Sequence, residues 1–427
     1  MVQIIDDKEI EAFFKTLKTR NSVSDGKYLS IVKDIINDVI INKDKALEVY
    51  TKKFDDKNFS IQNVEILKDD QEKAFFSLEK EMQEILIKAK DRIYDYHMHQ
   101  KRNTFTYKGE FGEILGQKIT PIENVGVYVP GGKAAYPSSV LMNIVPAMVA
   151  GVKNIVMCTP RQGGQVNPLV LACAYLCNVN HVYAIGGAQA IAAMAYGTES
   201  IKKVDKIVGP GNIFVALAKK EVYGSVGIDS IAGPSEILIV CDKSCNSKFV
   251  ASDMLAQAEH DELASAIVIC DDLKTAKEIQ KWVETFYEES NRKDILTKSL
   301  QNYSKIIVVS SISEAIKLAN IIAPEHLELA IDNAFNYLDD IQNAGAIFLG
   351  HYTPEAFGDY MAGPNHVLPT VQTARFFSPL GVDDFIKKSS IISFDEQSAK
   401  MLADDVMKFA KQEGLMMHAL SAKLRGV

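Results

Sequence analysis

The sequence predicts an α/β chain built on two doubly wound, parallel β-sheets, with a helical region before them and a helical tail after them. Three observations carry that expectation. From about residue 110 to 235, short apolar runs alternate with small-residue stretches of helical length. The same alternation resumes at 236 and continues to about 349. Residues 8 to 100 are instead charged, amphipathic and poor in Gly and Pro, with few turn signals beyond Asp25-Gly26 and Asp55-Asp56. Strand and helix in strict alternation is the rhythm of βαβ units.

Taken in order, the first unit offers strands at Val125-Gly-Val-Tyr-Val129, Asn154-Ile-Val-Met-Cys158, His181-Val-Tyr-Ala-Ile185 and Lys206-Ile-Val208, with helices near 138–150, 166–178, 188–196 and 212–222. The second offers strands at 236–241, 266–270, 305–309 and 346–349. These continuous apolar runs fit strands buried on both faces. Beyond about 380 the chain turns polar and reads as helix.

At 427 residues, with 47% hydrophobic residues, the chain is long enough for two or three packed domains. A net charge of −8 argues against a nucleic-acid groove. The N-terminus lacks a basic flank followed by an apolar core, and the most apolar stretch, 139–152, is broken by Asn143 and Pro146. A cytoplasmic protein is expected, with no membrane partner. Of six cysteines, Cys158, Cys241 and Cys270 fall in or at the ends of β-branched runs and Cys173 and Cys177 are spaced i, i+4 in a helical pattern; neither Cys-x3-Cys pair has a second pair at zinc-finger spacing. They read as reduced, small hydrophobes.

Three glycine turns end strands and open helices: Pro130-Gly-Gly-Lys133, Gly186-Gly-Ala-Gln189 and Gly209-Pro-Gly-Asn212. Backbone amides and the helix dipole at such turns favour phosphates or other polar ligands, at the sheet edge where open α/β folds bind. None matches Gly-x-Gly-x-x-Gly, so a dinucleotide is compatible with them without being identified by them.

Polar chemistry concentrates in four clusters: Gln257-Ala-Glu-His260, Pro324-Glu-His326, Glu355-Ala-Phe-Gly-Asp359-Tyr360 with Asn365-His366, and Glu413-Gly-Leu-Met-Met-His418. They hold half of the eight histidines. Imidazole with carboxylate suits zinc without excluding other divalent transition metals. Gln257 and His260 share one helix face at i, i+3, although glutamine is an uncommon zinc ligand. Adjacent Glu325 and His326 offer a proton-transfer pair near neutral pH. His97 and His99 read as solvated. No cluster contains a cysteine, which removes the obvious thiol nucleophile for an aldehyde. A zinc hydrolase would use the same side chains but needs no glycine turns at a sheet edge, and a two-lobed solute-binding module would leave Glu325 and His326 idle.

In order along the chain, these strings resemble histidinol dehydrogenases from about residue 110 to the C-terminus. The matching strings are Val125-Gly-Val-Tyr-Val-Pro-Gly-Gly132, Gly209-Pro-Gly-Asn212, Ala232-Gly-Pro-Ser-Glu-Ile237, Leu255-Ala-Gln-Ala-Glu-His-Asp261, Ala323-Pro-Glu-His-Leu327, Gly358-Asp-Tyr360, Gly363-Pro-Asn-His-Val-Leu-Pro-Thr370 and the Glu413–His418 tail. The resemblance implies a zinc- and NAD-dependent oxidation of L-histidinol to L-histidine, through an aldehyde and two hydride transfers. It implies Gln257, His260, Asp359 and His418 as ligands of one zinc per subunit, and Glu325 and His326 as the acid–base pair. It implies Ser235, His366 and Glu413 as substrate contacts beside Gln257, His260, His326, Asp359 and His418, and Tyr128, Gln189 and Asn212 as NAD contacts. It also implies a homodimer whose tails reach across to the partner's site.

The expected organisation is an N-terminal arm over 1–24, a Rossmann-like α/β domain made of 25–109 and 236–380, an inserted Rossmann-like domain over 110–235 that binds NAD, and a dimerisation tail over 381–427.

Overall fold

The computed structural model describes residues 2–19, 25–131 and 136–426. Gly132 and Lys133 of the first glycine turn lie outside the described residues. Two six-stranded sheets and one three-stranded sheet organise the chain.

The first large sheet places Asn124–Tyr128 centrally, with Asn154–Cys158 and His181–Tyr183 on one side and Lys206–Val208 and Gly227–Ile228 on the other. The second repeats the plan, with Glu236–Cys241 at its centre, Ser265–Cys270 and Lys305–Val308 on one side, and His326–Ala330 and Ala346–Leu349 on the other. Numbered within each unit, both sheets run 3-2-1-4-5, the doubly wound order whose topological switch lies between the first and fourth strands.

Their composition follows from burial on both faces. Along Glu236–Cys241, Ile237, Ile239 and Cys241 enter one core while Leu238 and Val240 enter the other. In the first sheet Val125 and Val127 point to one side and Tyr128 to the other. Fully burying each such aliphatic side chain stabilises the fold by about 1.5–3 kcal/mol, which favours an unbroken apolar run in each central strand.

The expected domain boundaries are redrawn by the packing. Helix Asp25–Phe54 buries Val32, Ile36, Val39 and Leu47 in the core that holds Ile185 and Ile191 of the first unit. Helix Lys80–Met98 sends Leu86, Ala89 and Ile93 against Val125 and Val127, and Glu65–Ile66 pairs antiparallel with His181–Tyr183. Residues 25–109 therefore belong with 110–235, not with 236–380. The alanines of Gly187–Tyr196 leave room for the long amphipathic helix to pack closely against them. Nor are the first residues a free arm. Gln3–Ile5 adds a parallel strand beside Lys305–Val308, and Ile5 and Phe13 pack in the second unit.

The tail is helical over Glu396–Gln412 and Met416–Lys423, but a strand precedes these helices. Ile386–Ser393 pairs antiparallel along Ile114–Pro121, which also pairs with Phe105–Lys108. Polar residues and solvent exposure dominate that strand, so it carries little of the apolar alternation that announces one. His97 is buried rather than solvated, and its Nδ1–H donates to the Ile93 carbonyl at 2.7 Å. All six cysteines are free, and five are buried. No helix among the described residues is long and apolar enough to cross a membrane.

Candidate active site

The second sheet presents its polar residues at the amino ends of its strands, the edge opposite to the one where doubly wound folds usually bind. Ser235 precedes Glu236–Cys241, and Glu325 precedes His326–Ala330, whose His326 is in register with Ile237. Helix Ser247–Ala258 runs back from the far edge, so its last turn delivers Gln257, with His260 just beyond, to the same place.

His326 is 4% exposed. Its Nδ1 lies 3.0 Å from the Glu236 carbonyl oxygen. A carbonyl only accepts, so Nδ1 carries the proton and Nε2 of the neutral ring is left with a lone pair. That Nε2 is buried and finds no hydrogen-bond partner among the described residues. Burial lowers the ring from 6.5 to about 4, against the opposing pull of Asp359 and of the Glu236 carbonyl. Glu325, also buried, accepts from the Glu236 N–H at 2.9 Å. One residue thus holds both members of the pair, its N–H fixing the carboxylate and its C=O fixing the imidazole.

Donor atoms of His260, Glu355 and Asp359 all lie within 4.8 Å of one another. Glu355 and Asp359 share a face of the short helix Glu355–Tyr360 at i, i+4. Gln257 is fully buried with its terminal amide against Glu355; turned so that its NH2 faces that carboxyl, which satisfies both groups, the amide donates at 2.6 Å to Oε2. Burial drives the Glu355 carboxyl well above its usual range, reinforced by Asp359, Glu325, Glu328 and Asp253. Burial likewise raises Glu328 strongly, and Asp253 to about 6. So many buried carboxyls beside an exposed imidazole form a donor set that a divalent transition-metal cation would relieve electrostatically. His366 faces the same place, its ring pKa lowered by burial and its Nε2 without a partner among the described residues. His326, Asp359 and His366 line a cavity of about 1060 Å³.

Comparison with known proteins shows which family the chain is similar to. The family model described as histidinol dehydrogenase matches residues 18–426. The histidinol dehydrogenase of Clostridium acetobutylicum is 50% identical over 428 residues, covering 100% of this chain and 99% of that protein. That of Bacillus cereus is 51% identical over 421 residues, covering 98% and 97%. The crystal structure of histidinol dehydrogenase from Elizabethkingia anophelis superposes with a TM-score of 0.94 at 37% identity, covering 99% of this chain and 98% of that one. The chain belongs to the histidinol dehydrogenase family.

Two of the residues that the histidinol dehydrogenase motifs mark are not gathered with the rest. Glu413 and His418 are exposed, on and beside the tail helices, and neither lines the cavity of its own chain. Of the marked nucleotide contacts, Tyr128 and Gln189 are buried and Asn212 is exposed. The Gly209 turn requires glycine: φ is +112°, and a Cβ would lie 2.1 Å from the Tyr128 carbonyl oxygen. Three amides of the second and third turns are taken, where the sequence led one to expect them open to a ligand. Gly187 N–H donates to the Tyr128 hydroxyl at 3.0 Å, Gly209 N–H donates to Asp229 at 2.8 Å, and Gly186 N–H donates to Asp55. Asn212 caps its own helix by accepting from Phe214 N–H and Val215 N–H. Gln189 keeps a buried Nε2 without a partner among the described residues, which leaves a donor for a ligand in this histidinol dehydrogenase fold.

Sequence reasoning did not single out three residues that hold these two places together. Glu236 lies inside a matching string, Glu355 opens a quoted cluster, and Asp55 sits in a turn far from both. For Glu355 the available signal was its i, i+4 spacing from Asp359.

Proposed function

We propose that the chain oxidises L-histidinol to L-histidine through the aldehyde, the last step of histidine biosynthesis, passing two hydrides in turn to NAD. The reading includes one zinc ion per subunit and a cytoplasmic homodimer with shared sites. Family membership supports the reaction class. The observation that carries the mechanism is the His326 ring, on a residue that lines the cavity, held with Nδ1–H on a carbonyl and a buried Nε2 without a partner among the described residues.

Gln257, His260 and Asp359, with His418 of a second subunit, would hold zinc, and Tyr128, Gln189 and Asn212 would contact NAD. When bound, zinc would anchor the imidazole and amine nitrogens of the substrate, and NAD would accept the hydride. The rest falls to the chain's own side chains. His326 Nε2 takes the hydroxyl proton, and the Glu236 carbonyl steadies the ring as it becomes cationic. Glu325 takes a proton from the water that adds to the aldehyde, since no cysteine is at hand to form a thiohemiacetal. His326 returns its proton to the aldehyde oxygen as the water adds and, neutral again, accepts a second hydroxyl proton from the hydrate. Ser235, His366 and Glu413 position the substrate.

The tail supports a shared site. Its two helices pack on each other and expose Met401, Phe409, Leu415, Met417 and Leu424, an apolar surface suited to a second subunit.

Stoichiometry tests the proposal. Two NADH should form per histidinol consumed, and chelation should abolish turnover while circular dichroism stays unchanged. One NADH per histidinol, with aldehyde accumulating, would overturn the two-step reading.

A further inference from the structure

Gln257 poses a chemical puzzle, because an amide is a weak and ambiguous metal ligand. Its oxygen can bind a cation and its NH2 cannot, yet a half-turn of the terminal torsion exchanges the two. A buried Gln257 with nothing to choose between these orientations would present the wrong atom part of the time. Glu355 supplies the choice. Its carboxyl is 3% exposed, and both oxygens are within hydrogen-bond reach of the Gln257 amide. Beside a bound cation the carboxyl would be ionised; it then accepts from NH2 and repels a carbonyl oxygen, so one orientation is favoured. In that orientation Oε1 is left for the cation.

Glu355 is itself held in place. It is the first residue of Glu355–Tyr360, and its backbone N–H donates to Glu328 Oε1 at 2.7 Å. Asp359 follows one turn later, so a single short helix carries both a candidate ligand and the group that orients a second. His326 Nδ1 lies 3.8 Å from Glu355 Oε1, which ties the same carboxyl to the proton-transfer pair. The arrangement also explains why position 257 is an amide. A glutamate there would set two carboxylates against each other at hydrogen-bond distance, with no donor between them.

We propose that Glu355 is the positioning residue of the metal site, accepting from the Gln257 amide so that Gln257 Oε1 faces the cation. The proposal rests on the zinc reading given above and deepens it. Partners of this kind are typically worth about 10- to 100-fold in metal affinity.

The test uses full-length protein stripped of metal and titrated with zinc against a competing chromophoric chelator, with circular dichroism recorded for each variant. Glu355→Ala should bind zinc about 10- to 100-fold more weakly. Glu355→Gln should stay within about three-fold of the parent, because its own amide oxygen can accept from Gln257. In a Gln257→Ala background, Glu355→Ala should cost nothing further, because the group it orients is gone. Equal losses in Glu355→Ala and Glu355→Gln would make Glu355 a ligand in its own right and overturn the proposal. So would unchanged affinity in both, or a full additional loss in the Gln257→Ala background. If Glu355→Ala fails to fold, Glu355→Leu alone and with Gln257→Ala decides by the same comparison. A parent protein that binds no zinc would overturn the metal reading itself, which separates that failure from this one.

Discussion

His326 Nδ1 lies 3.0 Å from the carbonyl oxygen of Glu236, and this one hydrogen bond leaves Nε2 as the ring nitrogen free to accept a proton. Burial lowers the ring from 6.5 to about 4, so it stays neutral across the range where an ordinary histidine titrates. The unfolded chain takes up its proton first as pH falls. The contribution of His326 to stability is therefore present above about 6.5 and is lost as pH falls towards about 4. In NMR spectra its ring protons should show no titration between about pH 5 and 8. A midpoint near the ordinary value would refute the arrangement. His326→Asn should lower both oxidation steps by a factor of about 10² to 10⁴.

Glu325 accepts from the same residue, at 2.9 Å from the Glu236 N–H. If it serves the water that hydrates the aldehyde, the two half-reactions should respond differently to its loss. Glu325→Gln should slow oxidation of histidinal by about 10² to 10⁴ and leave the first hydride transfer from histidinol much less affected. Single-turnover NADH formation, run with each substrate, separates the steps. Oxidation of histidinal at the parent rate would show that Glu325 has another role.

Strands buried on both faces were legible because burial forces an unbroken apolar run, as in Ile237-Leu-Ile-Val-Cys241. His326–Ala330 was not, because Glu325, His326 and Glu328 give it the appearance of a polar cluster. Burial of those three residues is a property of the assembled fold and leaves no local mark. Gln3–Ile5 is too short to show a period, and its place was set by an open sheet edge more than three hundred residues away. The glycine turns do lie at the carboxyl edge of the first sheet. Nothing local could show that Asp55, Tyr128 and Asp229 would occupy amides of these turns, or that the second sheet would gather its polar residues at its amino edge.

Asp55 is a test of that first edge. Burial raises its carboxyl from 3.8 to about 6, only partly offset by the Gly186 N–H and worsened by Asp56. A carboxyl raised by folding favours the native state below about 3.8, and that advantage is lost as pH rises through about 6. Asp55→Asn keeps an oxygen for Gly186 and does not titrate. Its melting temperature should exceed that of the parent at pH 8 by a few degrees and match it near pH 4. A constant offset at both pH values would mean that charge burial is not the cause. If Asp55 serves only to hold the Gly186 turn, KM for NAD should change little in this variant.

The last prediction concerns Glu413 and His418, which the fold leaves exposed and away from the cavity of their own chain. His260 and Asp359 meanwhile show an open side, with His260 exposed to solvent. The two observations fit together if each tail completes the site of its neighbour. His260→Ala and His418→Ala proteins should each be nearly inactive as symmetric dimers. Unfolded and refolded together, they form heterodimers in which one site has lost both histidines and the other is intact. Activity should then rise to about a quarter of the parent's, since random pairing makes half the dimers mixed and each mixed dimer carries one working site of two. If His418 serves its own chain, every site carries one defect and no activity returns. Inactive heterodimers, their formation verified by mass spectrometry, would therefore sink the shared site and require the tail to fold back onto its own cleft.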